Sequence, residues 1–271
     1  MDFPNEFQPQ TDPTNLRRLV RRVDDRWLYP VAVLFGLAAW QFIAGTFFDP
    51  IFFPTPLSVA VKGYALFSSG EILPHIEISL FRILTGFLIG SVLGAPLGLV
   101  MGVIPQFRKF CEPYVEFFRF IPAVAWLTPA VIWLGIGETS KVAIIVYTTI
   151  FIVLLNTVVG VGNVSRNKIC AAQSLGANRL QTFLYAVIPA TVPYVLTGMR
   201  LAMGNSFATV VSAEMIAANS GLGFLIWNSR IYLETQTIFV AIVTLGVLGF
   251  LSDRLLRVLI RRYAHQYGRV E

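Results

Sequence analysis

Six stretches of this chain are long, apolar and poor in charge, and they limit what it can fold into. They are residues 28–47, 79–104, 113–135, 141–161, 192–216 and 237–256. Each is close to the ~20 residues with which a helix crosses about 30 Å of hydrocarbon while bonding its own backbone amides. Of the 271 residues, 55% are hydrophobic and 13% are charged, which excludes an ordinary soluble domain. The sequence therefore predicts an all-α integral membrane protein with about six transmembrane helices, embedded in a lipid bilayer.

Lys and Arg are distributed unevenly around these spans. With six crossings, the N-terminal tail, the segments 105–112 and 162–190, and the end of the chain from residue 254 share one side and hold fifteen basic residues, whereas the opposite loops hold three. Cytoplasmic segments carry this excess in membrane proteins. We therefore expect both termini to be cytoplasmic, with a tail at 1–26, a membrane domain at 27–260 and a tail at 261–271. This topology also accounts for the net charge of +6 without a nucleic-acid partner.

A ladder of glycines runs through the second span with a spacing of four residues. Its members are Gly86, Gly90, Gly94, Gly98 and Gly102. Glycines at this spacing let a second helix approach at backbone distance. Four residues overshoot one turn of 3.6 residues, so the strip winds around the helix. We therefore expect a crossing contact rather than a long parallel seam.

Several charged residues interrupt the apolar spans. Arg82 lies about one turn from the outer boundary, so its side chain is expected to extend to the interface. Glu116 and Arg119 are three residues apart near the inner boundary, which predicts a local ion pair. Arg200 and Glu214 lie within the fifth span, where a charge either lines a pathway or pairs with another span. The pattern leaves both alternatives open for these two residues.

The third span, FRFIPAVAWLTPAVIWLGIGETSK from Phe118, contains Pro122 and Pro129 together with Trp126 and Trp133. Prolines inside a span free backbone carbonyls, which only protein or a water-lined cavity can satisfy, so this span is expected to be kinked. Its GIGETSK end lacks the spacing of a phosphate-binding loop. The two cysteines and two histidines show neither metal-ligand spacing nor a catalytic arrangement. We therefore expect neither an enzyme nor a metal site.

A polar segment, CAAQSLGANRLQTFLYAVIPATVP, begins at Cys170 on the predicted cytoplasmic side. Gly176 is expected to end one helix, and Asn178 with Gln181 forms a capping-box pattern that opens a second. Two prolines are then expected to separate this second helix from the fifth span. The pattern predicts helix, turn and helix. An ordinary loop and a docking element both fit it.

This segment resembles the cytoplasmic coupling loop of ABC importer permeases, in which Glu-Ala-Ala is followed by a glycine and, about a dozen residues later, a proline. Ala171, Ala172, Gly176 and Pro189 match that spacing, while Cys170 stands where the family often has Glu. Three longer stretches resemble the branch of the family that imports nitrate, bicarbonate, taurine and alkanesulfonates. They are residues 79–102, 118–141 and 196–226.

The resemblance implies a type I ABC importer permease in the inner membrane of a bacterium. Such a permease works as a pair, here expected to be a homodimer, with two ATP-binding subunits and a periplasmic solute-binding protein. ATP and Mg would be held by those partner subunits, and this chain would bind no cofactor. The resemblance also implies that a coupling loop at about 162–190 contacts the ATP-binding subunit. Its contact residues would be Cys170, Ala171, Ala172, Ser174, Leu175, Gly176, Ala177 and Arg179.

By the same resemblance, the third and fifth spans would line the translocation pathway. The candidate lining residues are Trp126, Trp133, Arg200, Asn205, Phe207 and Glu214. The solute would be a small oxyanion, first an organic sulfonate such as taurine and next nitrate or bicarbonate. Two alternatives remain. A secondary transporter driven by an ion gradient would show paired discontinuous helices or repeats, which the sequence lacks. A membrane scaffold would need no proline-broken spans with charges.

Overall fold

The structure, a computed structural model, describes residues 25–263, and every regular element among them is helical. The α-helices are α1 Asp25–Phe47, α2 Pro56–Ser68, α3 Leu73–Val103, α4 Pro105–Arg119, α5 Leu127–Leu134, α6 Glu138–Gly162, α7 Arg166–Ser174, α8 Arg179–Thr182, α9 Ile188–Ala217, α10 Leu222–Ile231 and α11 Thr235–Tyr263. A 3₁₀ turn, Ala123–Trp126, precedes α5, and a π turn, Phe183–Val187, joins α8 to α9. The predicted tails at 1–26 and 261–271 lie outside the described residues, apart from 25–26 in α1 and 261–263 in α11.

The chain divides into two compact units after Ser58. In the first unit, α1 contains the predicted first span and is long and apolar enough to cross a membrane. Trp40 in α1 donates its indole N–H to the carbonyl of Pro54 at 3.1 Å and packs against the ring of Phe53. These contacts fix the loop that follows α1 against the end of the same helix.

In the second unit, the glycine ladder of α3 packs along α6 over its whole length. The pairs are Gly86 with Ile145, Gly90 with Thr149, Gly94 with Ile150 and Val153, Gly98 with Thr157, and Gly102 with Val161. The prediction of tight helix packing is confirmed. The expected short crossing is wrong. The α6 residues that face the glycines also recur mainly every four positions. The two strips therefore wind at the same rate and stay together.

The paired residues of α3 and α6 ascend together, so these two helices run in the same direction. The chain between them must therefore return from the end of α3 to the opposite end of the pair. It does so first through α4 and then through the 3₁₀ turn and α5. The segment formed by the 3₁₀ turn and α5 is bent by 92° from α4. The described residues thus contain five helices long and apolar enough to cross a membrane, and six crossings when this bent pair counts as one. The third span is broken rather than kinked.

The core of the second unit lies where α9 packs antiparallel to α3 and α6. The Oγ atoms of Thr149 and Ser206 lie 3.3 Å apart, and Gly198 lets Asn156 approach α9 closely. The buried apolar side chains here are Ile83, Phe87, Ile145, Val153, Ala202, Met203, Phe207 and Val210. Helix α9 is antiparallel to α6, and α11 is antiparallel to α9. The predicted coupling loop and the C-terminal end of α11 therefore lie at the same end of the bundle.

The helix that follows the coupling-loop turn does not stop before the fifth span, as the two prolines had suggested. Residues 179–217 form one continuous helical span. Within it, the amide of Ile188 bonds the carbonyl of Phe183, five residues earlier. This wider turn immediately precedes Pro189, whose ring would otherwise press on the carbonyl four residues before it. The π turn thus lets the helix pass through the proline.

Candidate functional site

The predicted coupling loop is built around the turn at Gly176. This glycine has φ +83°, and its amide donates to the carbonyl of Gln173 at 2.9 Å. The amide of Ala177 donates to the carbonyl of Ala172 at 3.0 Å. These two bonds make the glycine-terminated Schellman end of α7, and a residue with Cβ is strained in this conformation. The predicted helix end at Gly176 is confirmed.

The predicted capping box opens α8. The amide of Gln181 donates to Oδ1 of Asn178 at 2.8 Å, and the amide of Asn178 donates to Oε1 of Gln181 at 2.9 Å. Both hydrogen bonds satisfy amides that the first turn of a helix leaves unpaired. The glycine turn and the capping box lie within a few residues of each other, and together they fix the angle between α7 and α8.

The coupling loop exposes apolar and small side chains. Leu175 is 89% exposed, and Leu180 and Tyr185 also lie open. The glycine turn places Leu175 at the tip of the loop, where none of the described residues covers it. Among the predicted contact residues, Cys170, Ala171, Ser174, Gly176 and Arg179 are exposed as well, while Ala172 and Ala177 are half-buried.

The break in the third span is held by Tyr147 of α6. Its hydroxyl donates to the carbonyl of Phe118 and also lies 3.4 Å from that of Ile121. The carbonyls released by the break are therefore satisfied from a neighbouring helix, as proline-containing spans require. Trp126 packs beside this tyrosine and lies 6.3 Å from Trp133, which is 71% exposed.

A partly open cavity of about 320 Å³, here called the break cavity, lies against this break. It is lined by Arg119, Phe120, Ile121, Pro122, Ala123, Tyr147, Thr148, Phe151, Ile152, Leu155 and Asn205. The third span, α6 and α9 thus meet around one space. Of the predicted pathway residues, Asn205 lines the break cavity.

A buried ionic network at the opposite end of the bundle from the coupling loop joins α3, α6 and α9. Arg82 donates to both carboxylate oxygens of Glu138 at 2.5 and 2.8 Å and to Oε1 of Glu214 at 2.8 Å. Ser79 also donates to Glu214, at 2.8 Å, and the amide of Gly223 completes the shell of that carboxylate at 2.8 Å. The prediction that Arg82 extends to the interface is wrong, because its side chain is fully enclosed by these partners.

The turn between α9 and α10 closes over this network. Gly221 has φ +120°, and a Cβ there would lie 2.5 Å from Oε1 of Glu214. The amide of Gly221 donates to Nδ1 of His75 at 3.0 Å, and Arg82 donates to the carbonyl of Ser220 at 2.7 Å. Sequence reasoning missed this turn. Its signal was a glycine seven residues after an acidic residue inside a span.

The remaining predicted pathway residues have partners within the chain. Arg200 forms a two-pronged ion pair with Asp253 of α11, at 2.6 and 3.3 Å. Phe207 belongs to the buried core, and Glu214 belongs to the ionic network. The structure therefore brings Trp126 and Trp133 together near the break and places these three elsewhere. The predicted ion pair between Glu116 and Arg119 is not among those that the described residues form.

Comparison with protein families matches residues 71–265 to the family described as "Binding-protein-dependent transport system inner membrane component". The chain belongs to this family. The match includes α3 to α11 and with them the ladder, the break cavity and the coupling loop. The protein is thus an inner-membrane permease subunit of an ABC transporter, in which ATP hydrolysis resides on separate subunits.

Curated relatives agree with this assignment. A probable ABC transporter permease of Brucella melitensis is 38% identical over 84% of this permease and 92% of its own length. The taurine transport system permease protein TauC of Escherichia coli is 36% identical over 87% of this permease and 88% of its own length. The nitrate import permease protein NrtB of Leptolyngbya laminosa is 32% identical over 67% of this permease and 65% of its own length.

Solved structures show the same fold at low sequence identity. A bacterial ABC transporter involved in import of the acidic polysaccharide alginate aligns with TM-score 0.63 and 14% identity, covering 91% of this permease and 99% of that chain. The inward-facing MetNI methionine ABC transporter aligns with TM-score 0.62 and 16% identity, covering 73% and 96%. The permease therefore has the type I ABC importer fold.

Proposed function

We propose that this permease forms the membrane pathway for a small oxyanion, an organic sulfonate such as taurine first and nitrate or bicarbonate next. The observation that carries the proposal is the similarity to the taurine permease TauC, at 36% identity over 87% of the chain. The relation to a nitrate import permease favours the same class of solute. Sulfonates, nitrate and bicarbonate all carry a small anionic group whose oxygens accept hydrogen bonds.

We propose further that two copies of the chain form the pathway, with both termini in the cytoplasm. The uneven distribution of Lys and Arg supports this orientation. The third span and α9 would face the pathway through Trp126, Trp133 and Asn205. Arg200, Phe207 and Glu214 would instead hold α9 to its neighbours, because each is already paired or buried.

The loop around Gly176 would transmit the ATP-driven motion from the ATP-binding subunit to the spans. Three features support this role: an exposed apolar tip at Leu175, a rigid turn, and a continuous helix from the turn into α9. A rigid connection is needed because coupling acts through an element with two discrete arrangements. Movement of the tip would reach residues up to 217 without passing through a flexible joint.

Transport by the reconstituted complex tests the proposal. The permease would be co-purified with its ATP-binding subunits, placed in vesicles and supplied with its solute-binding protein. Uptake of labelled taurine, nitrate or bicarbonate that requires ATP is the expected result. Uptake of a solute that lacks an anionic oxygen group would contradict the oxyanion, and uptake of any solute without the ATP-binding subunits would contradict the mechanism.

A further inference from the structure

The break cavity contains one charged side chain, that of Arg119. Its guanidinium lies 4.5 Å from the centroid of the Phe120 ring, and none of the ion pairs formed by the described residues includes it. A cation without a carboxylate partner in a partly enclosed space gives that space a positive potential. Arg200 differs, because it forms an ion pair with Asp253, which also pairs with Arg257.

The opposite wall of the break cavity supplies a hydrogen-bond donor. Oδ1 of Asn205 accepts from the hydroxyl of Thr209 at 3.2 Å. The same hydroxyl lies 3.0 Å from the backbone carbonyl of Asn205, and with Oδ1 oriented this way the Nδ2 group donates to no other residue in the described part of the chain. The hydroxyls of Tyr147 and Thr148 donate to backbone carbonyls. The free donors of the cavity are therefore the Arg119 guanidinium and the Asn205 amide.

The cavity lies near the middle of the membrane domain, so Arg119 lies deeper than the inner boundary near which the sequence placed it. At ~1.5 Å per residue, Thr148 is about 15 Å along α6 from Glu138, and Asn205 is about 18 Å along α9 from the C-terminal end of that helix. Half of a hydrocarbon layer is about 15 Å. Substrate sites of secondary transporters commonly lie at this depth. The volume of about 320 Å³ is at the small end of the range for ligand pockets.

We propose that Arg119 and Asn205 form an anion site in the break cavity that receives a small oxyanion on its way through the permease. The proposal rests on the proposed function, since it takes the transported solute to be an oxyanion. Arg119 supplies the charge and directional N–H donors, and Asn205 fixes the anion against α9. The apolar side chains of Phe151, Ile152 and Leu155 accommodate the short carbon chain of a sulfonate.

Binding of methanesulfonate to the purified complex without nucleotide tests the site directly. Arg119→Gln is expected to weaken binding by about ten-fold or more, because hydrogen bonds to charged groups are the stronger class. Arg119→Lys should keep binding within about three-fold, since it retains the charge but not the fork of donors. Asn205→Asp should abolish binding, because it places a negative charge at the same position.

Arg108→Gln is the matched control, because Arg108 lies on the same helix, pairs with Glu112 at 3.3 Å and does not line the cavity. Equal binding by the wild type and Arg119→Gln, or an equal loss in Arg108→Gln, would overturn the site. Uptake by the same preparations separates this result from the proposed function. A complex that binds methanesulfonate through Arg119 but imports no anion would contradict the function and support the site.

Discussion

Arg82 and Glu214 meet at 2.8 Å across 132 residues of sequence, and both side chains are fully enclosed. Arg82 also holds Glu138 at the start of α6, where Lys141 adds a second cation at 3.2 Å. One arginine therefore fixes α3, α6 and α9 to one another at the same end of the bundle. The interactions depend on one another, because each buried charge is satisfied only while its partners are present.

Replacing Arg82 with Gln should destabilise the permease strongly. The substitution leaves Glu214 buried without a cation, and breaking a buried pair from one side costs about 3–5 kcal/mol. Thermal unfolding of the purified permease in detergent measures the effect. Lys62→Gln is the control, because it removes an ion pair of 3.7 Å at a partly exposed position and should cost at most ~1 kcal/mol. Equal stability of the two variants would contradict the network's role.

Replacing Gly98 with Ala should loosen the seam between α3 and α6. The new Cβ would lie 2.6 Å from Cβ of Thr157 and 2.7 Å from the carbonyl oxygen of Leu154. Overpacking of this kind costs about 1–3 kcal/mol. Gly246→Ala on α11 is the matched control, since no atom lies within 4 Å of its new Cβ. Thermal unfolding should separate the two variants, and a Gly98→Ala protein as stable as Gly246→Ala would argue against a close-packed seam.

The elements that depend on local pattern could be predicted from the sequence. The apolar spans, the glycine ladder, the helix end at Gly176 and the capping box at Asn178 each follow from residues a few positions apart. The same reasoning predicted a kink in the third span, since proline removes a helical hydrogen bond wherever the helix lies. Its bend of 92° could not be predicted, because it depends on Tyr147 in another helix.

Contacts between residues that are far apart in the sequence could not be predicted from it. Arg82 was expected to extend to the interface because its distance from the span end was visible, whereas its partner Glu214 was 132 residues away. The length of the α3 and α6 seam was missed for a similar reason, since the ladder was considered without the strip that faces it. Helical spacing puts Asn205 and Phe207 on different faces of α9, but what each face contacts could not be predicted without the neighbouring helices.

Replacing Gly176 with Leu should uncouple ATP hydrolysis from transport while the spans still insert. With φ +83° this position is strained for a residue with Cβ, at a cost of roughly 1–2 kcal/mol, and relief of that strain would tilt α7 against α8. Solute-stimulated ATPase activity and uptake should both fall to the basal level. Gly176→Asn should retain more of both, since Asn tolerates this conformation.

Gly162→Leu serves as the control for the loop, because Gly162 also has open space around it and lacks a positive φ. It should leave coupling intact. Normal solute-stimulated ATPase activity in Gly176→Leu would show that the turn does not transmit the motion. Loss of activity in both variants would point to a general sensitivity of this end of the bundle.

Replacing Arg200 with Gln should have little effect on anion uptake, because this arginine is already engaged by Asp253, which also pairs with Arg257. The pair is partly exposed, with side-chain exposure of 39% and 32%, so its loss should cost less than about 1 kcal/mol. Asp253→Asn, which frees the charge of Arg200, should behave in the same way, and the double variant should add little. Uptake and thermal unfolding of all three variants check the pair. A fall in uptake with Arg200→Gln but not with Asp253→Asn would indicate that Arg200 lines the translocation pathway.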